Sequence, residues 1–196
     1  MKKQVIGVAV LACVSMPSLA SNFYVLADAG KSKFEIDVGS STGSLKENVI
    51  SIGGGYKFND NVAIELTYRD LGEIGEESID YSDDYDFYSE KGTVSASAFQ
   101  LSVLGAISLG EAATLYGRVG VADLELESKY KYNVIANGQH FSGSESDSDS
   151  KNKAVFGVGL SYSFFPSFAV RAEYSQYGEW EDLTISTTTI GLTYQF

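Results

Sequence analysis

Cysteine, histidine and proline are almost missing from this chain of 196 residues: Cys13 and His140 stand alone, and only Pro17 and Pro166 represent proline. A single cysteine rules out an internal disulfide, and one histidine beside it leaves no Cys/His ligand set for zinc. Lys and Arg number 14 against 26 Asp and Glu, a net charge of −12. The clustered cations that grip a phosphate backbone are therefore lacking, which excludes nucleic acid as a partner. No apolar run approaches the roughly 20 residues of a membrane-spanning helix.

The longest apolar run, Val5 to Val14, follows Lys2 and Lys3 and leads into Ser18-Leu19-Ala20. That arrangement reads as a secretory signal peptide at residues 1–20, with small residues three before and one before a cut after Ala20. A lipoprotein box around Val10-Leu11-Ala12-Cys13 is the rival reading. It is less favoured, because Leu11 is unusual inside such a box and the apolar run before Cys13 is short. Cleavage at Ala20 removes the cysteine and two lysines, leaving residues 21–196 as one thiol-free, still more acidic unit.

What is abundant is strand composition: 20 Gly, 13 Tyr and 11 Phe, with Val, Ser and Thr throughout. Alternation with period two carries more information, because it sends successive side chains to opposite faces of a strand. Val62, Ile64, Leu66 and Tyr68 share one face, while Ala63, Glu65, Thr67 and Arg69 share the other. From Phe168 to Ser175 the pattern repeats, with Arg171 and Glu173 on the polar face. Eight such segments emerge, near Asn22 to Lys31, Val49 to Phe58, Val62 to Leu71, Ser95 to Ser108, Leu115 to Leu124, Ala154 to Phe164, Phe168 to Tyr177 and Leu183 to Phe196. Each suits the roughly 9 to 11 residues with which a tilted strand crosses a bilayer.

The connections alternate in length. Asn59-Asp60-Asn61, Leu109 to Thr114 and Pro166-Ser167 are short, whereas Ser32 to Asn48, Gly72 to Val94 and Glu125 to Lys153 are long; Gly178 to Asp182 is intermediate. Short inner turns and long outer loops are the asymmetry of an antiparallel barrel in a membrane. Closure also removes the unpaired edges that hydrocarbon would penalise. The fold read from the sequence is thus an all-β, eight-stranded antiparallel up-and-down transmembrane barrel. Phe34 to Val38 and Asp123 to Leu126 alternate in the opposite phase to the strands they extend, and a bulge or register change is expected there.

Ile190, Leu192, Tyr194 and Phe196 alternate with Gly191, Thr193 and Gln195 up to the last residue. This resembles the C-terminal signature of bacterial outer-membrane barrels. Ile64 to Gly72 and Leu115 to Val121 are likewise similar to the outer membrane protein A-like and X-like families, over essentially all of residues 21–196. The resemblance implies a Gram-negative outer-membrane location, in contact with lipid and lipopolysaccharide, with the barrel-assembly machinery reading those four C-terminal residues. It departs from the larger relatives in lacking a further C-terminal domain for peptidoglycan.

The phase that turns Val62, Ile64, Leu66 and Tyr68 to lipid sends Glu65 and Arg69 inward, together with Asp28, Gln100, Tyr116, Arg118, Arg171 and Glu173. An eight-stranded barrel is just wide enough for side chains to fill, so these residues are expected to form a plugging network of ion pairs rather than a narrow ion path. His140 lies near Ser142, Ser144 and Glu145, but proximity in a Gly/Ser/Asp-rich stretch does not make a catalytic triad, as in a lipid-modifying enzyme, and no enzyme or cofactor is expected. The acidic stretch from Gly72 to Val94, interleaved with Tyr81, Tyr85, Phe87 and Tyr88, and the stretch Ser142 to Lys153 are read as hydrated outer loops. They are candidates for adhesion to a host or matrix surface; neither has the ligand spacing of a calcium loop. Phe23, Tyr56, Phe58, Tyr68, Phe164, Phe168, Tyr174 and Phe196 are read as interfacial anchors.

Overall fold

The computed structural model describes residues 22–38, 41–82, 87–136, 139–180 and 183–196. Within these it describes the side chains of all but residues 37–38, 41–42, 74–77, 79–82, 87–88, 135–136 and 139–140. Residues 1–21, which include the expected signal peptide, and residues 39–40, 83–86, 137–138 and 181–182 lie outside this description, Tyr85 among them, as do the side chains of Tyr81, Phe87 and Tyr88.

Eight strands follow one another: β1 (Phe23–Val38), β2 (Ser41–Asn59), β3 (Val62–Ser82), β4 (Phe87–Leu109), β5 (Ala113–Ala136), β6 (Gln139–Phe165), β7 (Phe168–Tyr177) and β8 (Leu183–Gln195). Every neighbour is antiparallel, and β1 pairs with β8 to close the barrel. β1 begins and β8 ends on the short-turn side, where Tyr24 opposes Gln195. Asp60-Asn61, Gly110 to Ala112 and Pro166-Ser167 turn the chain there. In the first of these turns the Asn59 side chain accepts hydrogen bonds from the Asn61 and Val62 amides. Pro166 sits where no ladder hydrogen bond is lost.

The three long connections differ from the sequence reading. They are not loops over most of their length but continuations of the strands: β3 and β4 remain paired out to Ser82↔Phe87, and β5 and β6 out to Ala136↔Gln139. β4, β5 and β6 reach 23, 24 and 27 residues, against the roughly 9 to 11 that cross the bilayer. β7, at 10 residues, is only long enough to cross. The barrel therefore carries a tall wall on its β3–β6 side.

The expected bulges at Phe34 to Val38 and Asp123 to Leu126 are absent. β1 and β5 keep an unbroken register with both neighbours. Shifts occur instead between Asp70 and Gly72 and between Glu73 and Gly75 in β3, and beside the turns at Lys57/Asn59 and Ser163/Phe165. Gly72 has φ +93°, which favours glycine, and a Cβ there would approach Glu47 Cβ at 2.7 Å. The apparent phase reversal has another cause. The inward face changes from charged to apolar along the barrel axis, so Phe34 and Leu124 point inward on the same side as Asp28 and Arg118.

Outside, the alternation leaves Ile50, Leu66, Leu101, Val103, Val119, Val121, Phe156, Val158, Ile190 and Leu192 exposed as a lipid-facing belt. Near the turns, Phe23, Tyr56 and Phe58 form one chain of ring contacts, and Phe164, Phe168, Tyr194 and Phe196 form another. Tyr68 contacts Phe99 further along the wall.

Candidate functional site

The lumen is filled in layers. Nearest the turns is a cavity of about 240 Å3, lined by Lys57, Ala63, Ser108, Thr114, Ser161 and Ser163 among others, with Glu65 and Arg171 at its floor. Beyond the floor lies a layer of buried charge containing Arg69, Arg118 and Arg171 with Asp28, Glu65 and Glu173. Three cations face three carboxylates, so the layer carries no net charge.

Glu173 is the hub. Its Oε1 accepts hydrogen bonds from Arg69 Nη2 at 2.6 Å and Ser175 Oγ at 2.7 Å, and its Oε2 from Arg171 Nη2 at 2.7 Å, Arg118 Nη2 at 2.9 Å and the Tyr116 hydroxyl at 3.0 Å. Glu65 accepts from Arg171 Nη1 at 2.9 Å, from the Tyr24 hydroxyl at 2.8 Å and from Arg118 Nη2. Asp28 is bound more loosely, with Oδ1 3.4 Å from Arg171 Nε. Arg69 Nη1 also donates to Thr187 Oγ1 at 3.0 Å. Gln100 lies at one side, donating to Ser102 and accepting from the Tyr177 hydroxyl at 3.2 Å.

All six charged side chains come from the odd-numbered strands β1, β3, β5 and β7. The inward positions between them on the even strands are small or uncharged: Ser51, Ser102, Gly157, Gly159, Thr187, Thr189 and Gly191. Eight strands leave too little width for large groups on every strand at one level, and alternating large with small residues satisfies the constraint. Gly191 is the tightest case: it opposes both Asp28 on β1 and Arg171 on β7, and a Cβ there would lie 2.0 Å from Asp28 Oδ1.

Above the charged layer, Phe34, Val49, Leu71, Ala96, Ala98, Ala122, Leu124, Val155, Tyr177 and Ile185 form one apolar cluster, closed by Trp180 from the last outer connection. Lys151 Nζ lies 4.9 Å from the Trp180 ring centroid, and Lys153 Nζ donates to the Glu179 carbonyl, tying that connection to β6. The lumen thus opens toward the turns and is sealed toward the wall.

Asp28, Glu65, Arg69, Gln100, Arg118, Arg171 and Glu173 are all at most 4 % exposed, and the six charged ones among them are brought into a single cluster. Tyr24, Ser175, Tyr177 and Thr187, which complete it, were not singled out from the sequence. The same period-two count finds three of them, since Tyr24 is four residues before Asp28 and Ser175 and Tyr177 are two and four after Glu173. The C-terminal residues Ile190, Leu192 and Tyr194 lie on the lipid face of β8. The Phe196 amide donates to the Phe23 carbonyl at 3.1 Å, fastening the end of the chain to β1.

His140 pairs with Ile135 near the end of the β5–β6 ladder, and its side chain lies outside the described residues. Ser142 and Ser144 alternate with Glu145 along β6 and so occupy the opposite face of the sheet. Serine and carboxylate on opposite faces cannot share one substrate.

Comparison with known proteins agrees with this architecture. The family described as outer membrane protein beta-barrel domain matches residues 6–196. The chain belongs to that family. It is an integral protein of the Gram-negative outer membrane. Among curated relatives, the attachment invasion locus protein of Yersinia enterocolitica is 26 % identical over 204 residues, covering 100 % of both chains. Outer membrane protein P5 of Haemophilus influenzae is 30 % identical over 198 residues, covering 89 % of this chain and 50 % of its own length. Among solved structures, that of the Yersinia pestis attachment invasion locus protein Ail, in complex with the heparin analogue sucrose octasulfate, has a TM-score of 0.54 at 17 % identity. It covers 89 % of this chain and 99 % of its own. Neisserial surface protein A has a TM-score of 0.53 at 16 % identity, covering 89 % and 97 %. At these identities the two structures speak for the fold of this family.

Proposed function

We propose that the barrel is a non-enzymatic, non-conducting anchor that holds the β3–β6 wall above the membrane as an attachment surface. The observation that carries this reading is the wall itself: paired strands continue far past the lipid-facing belt and present Tyr130, Tyr132 and Phe141, each about half exposed, beside Glu145 and Asp147. Rigid aromatic rings on a hydrogen-bonded ladder offer contact area at small entropic cost. Both Yersinia relatives that the chain matches over nearly its full length are named for attachment and invasion, which supports the reading. The separation of Ser142 and Ser144 from Glu145 supports a role without catalysis.

The experiment is adhesion of bacteria carrying Tyr130→Ala/Tyr132→Ala to cultured host cells and to matrix-coated surfaces. Truncating two central aromatic contacts costs more than about 1 kcal/mol each in a binding hot spot, so attachment falls at least tenfold while the heat-modifiable barrel is retained in the outer membrane. Undiminished attachment with normal surface display overturns the proposal.

A further inference from the structure

The two faces of the β3–β6 wall differ in charge. Counting inward positions on from Arg118 and Leu124, β5 presents Leu126, Ser128, Tyr130 and Tyr132, and their cross-strand partners on β6 are Asp149, Asp147, Glu145 and Gly143. Side chains in register point to the same side of a sheet. Three exposed carboxylates therefore stand in a row beside two tyrosines on the inner face. Lys129 and Lys131 alternate with those tyrosines and face outward, where Lys131 pairs with Lys91 of β4. Among the described residues, the inward lysines of β6 lie at the base of the wall, Lys151 against Trp180 and Lys153 bonded to the Glu179 carbonyl.

The tyrosine rings leave the carboxylates open. Tyr130 leans toward Gly92 of β4, where a Cβ would lie 3.5 Å from its Cζ, and Tyr132 leans over Gly143 of β6, where a Cβ would lie 2.4 Å from its Cζ. Glycine at both positions gives the rings room on the sheet. A cleft remains, lined by Ser128, Tyr130, Glu145, Ser146 and Asp147. Among the described residues no lysine or arginine pairs with Glu145, Asp147 or Asp149; Asp147 accepts only the Ser148 amide, at 3.1 Å.

Such a row presents a local negative field that a cation can answer in two forms. A single metal ion needs its carboxylates to converge within a ligand shell of about 2.3–2.6 Å. These are instead spaced about 7 Å apart along β6, twice the rise per residue, and among the described residues no group of three acidic, His or Cys side chains is placed to hold a metal. An extended polypeptide has the matching period, since its alternate side chains point one way at the same spacing.

We propose that the inner face of the wall binds an extended basic segment of a partner protein, with lysine or arginine at every second position. One cation enters the cleft, where the Tyr130 ring offers its face and Glu145 its carboxylate, and the next two reach Asp147 and Asp149. The inference rests on the attachment reading and names the chemistry of the partner.

The test uses the full-length mature protein refolded into phosphatidylcholine vesicles and a fluorescein-labelled peptide of four Arg-Ser repeats, with binding read by fluorescence anisotropy. The wild type binds this peptide more tightly than one of the same composition with its arginines contiguous, and raised salt weakens the binding. Glu145→Gln/Asp147→Asn weakens it roughly tenfold, the loss expected for two exposed charge pairs. Glu125→Gln/Glu127→Gln makes the same change of net charge on the outer face and keeps wild-type binding. Equal loss in the two double variants, or equal binding of the two peptides, overturns the proposal, because net charge alone would then hold the peptide. Bacteria carrying Glu145→Gln/Asp147→Asn attach less, as those carrying Tyr130→Ala/Tyr132→Ala do. If only the tyrosine variant loses attachment, the attachment reading stands and the basic partner is overturned.

Discussion

Arg118 and Glu173 meet at 2.9 Å with both side chains fully withdrawn from solvent, although they start from strands β5 and β7 and are separated by 55 residues in sequence. The strand between them, β6, offers only Gly157 and Gly159 at that level. The pair bridges over β6 inside the lumen, and Arg69 on β3 reaches the same Glu173 from the opposite side of the barrel.

Glu173→Gln leaves three buried guanidinium groups facing two carboxylates. Removing one partner from a buried ion pair typically costs about 3–5 kcal/mol, and the unfolding free energy in vesicles should drop by that amount. Equilibrium urea unfolding measures it. A change of about 0.5 kcal/mol, as for an ordinary surface substitution, would show that the network contributes no more than solvated charge.

Gly191→Val places a branched side chain where Asp28 Oδ1 and the Ala27 carbonyl already lie, 2.0 and 2.4 Å from an ideal Cβ. Because the clash falls on the β1–β8 seam, closure itself is impeded. Unboiled samples on a gel should then lose the fast, compact band of the closed barrel. Gly105→Val, with nothing within 4 Å of its Cβ position, should retain that band.

In planar bilayers the wild-type protein should be electrically silent. Two seals in series, the charged layer and the apolar cluster closed by Trp180, separate the cavity near the turns from the outer side. Leu124→Ala/Trp180→Ala removes part of only one seal and should remain silent. Stepwise conductance from the folded wild type would restore the pore reading.

Phe196→Ser tests the C-terminal residues as an assembly signal. The ring of Phe196 stands at the end of an aromatic chain, edge-on to Tyr194, and is only partly buried, so unassisted folding into vesicles should be nearly unchanged. Outer-membrane levels in cells should fall several-fold, as judged by quantitative blotting of membrane fractions. Equal loss in both settings would make the residue a plain packing contact.

Much of this was legible in the sequence for one physical reason. A strand forces alternation, and a bilayer on one side with a narrow lumen on the other forces the two classes of residue apart. Glu65 between Ile64 and Leu66, and Arg171 between Val170 and Ala172, could point only inward, and turns such as Pro166-Ser167 mark the strand ends. The same rule misled at Phe34 and Leu124, because alternation tells which residues share a face but not what that face meets at each height. Inward apolar residues there looked like a change of phase.

The chain by itself determined the strands, the inward and outward faces and the closed topology, because these follow from local periodicity and from the cost of unpaired backbone in hydrocarbon. Only the tertiary structure decided which inward charges meet, that Glu173 is shared by three arginines, and that an apolar layer seals the lumen above them. Register decided those contacts, and register depends on pairings between residues distant in sequence. It also decided that the acidic stretches continue as a paired wall, since Ser, Asp and Glu favour a strand there only when a neighbouring strand already offers its hydrogen bonds.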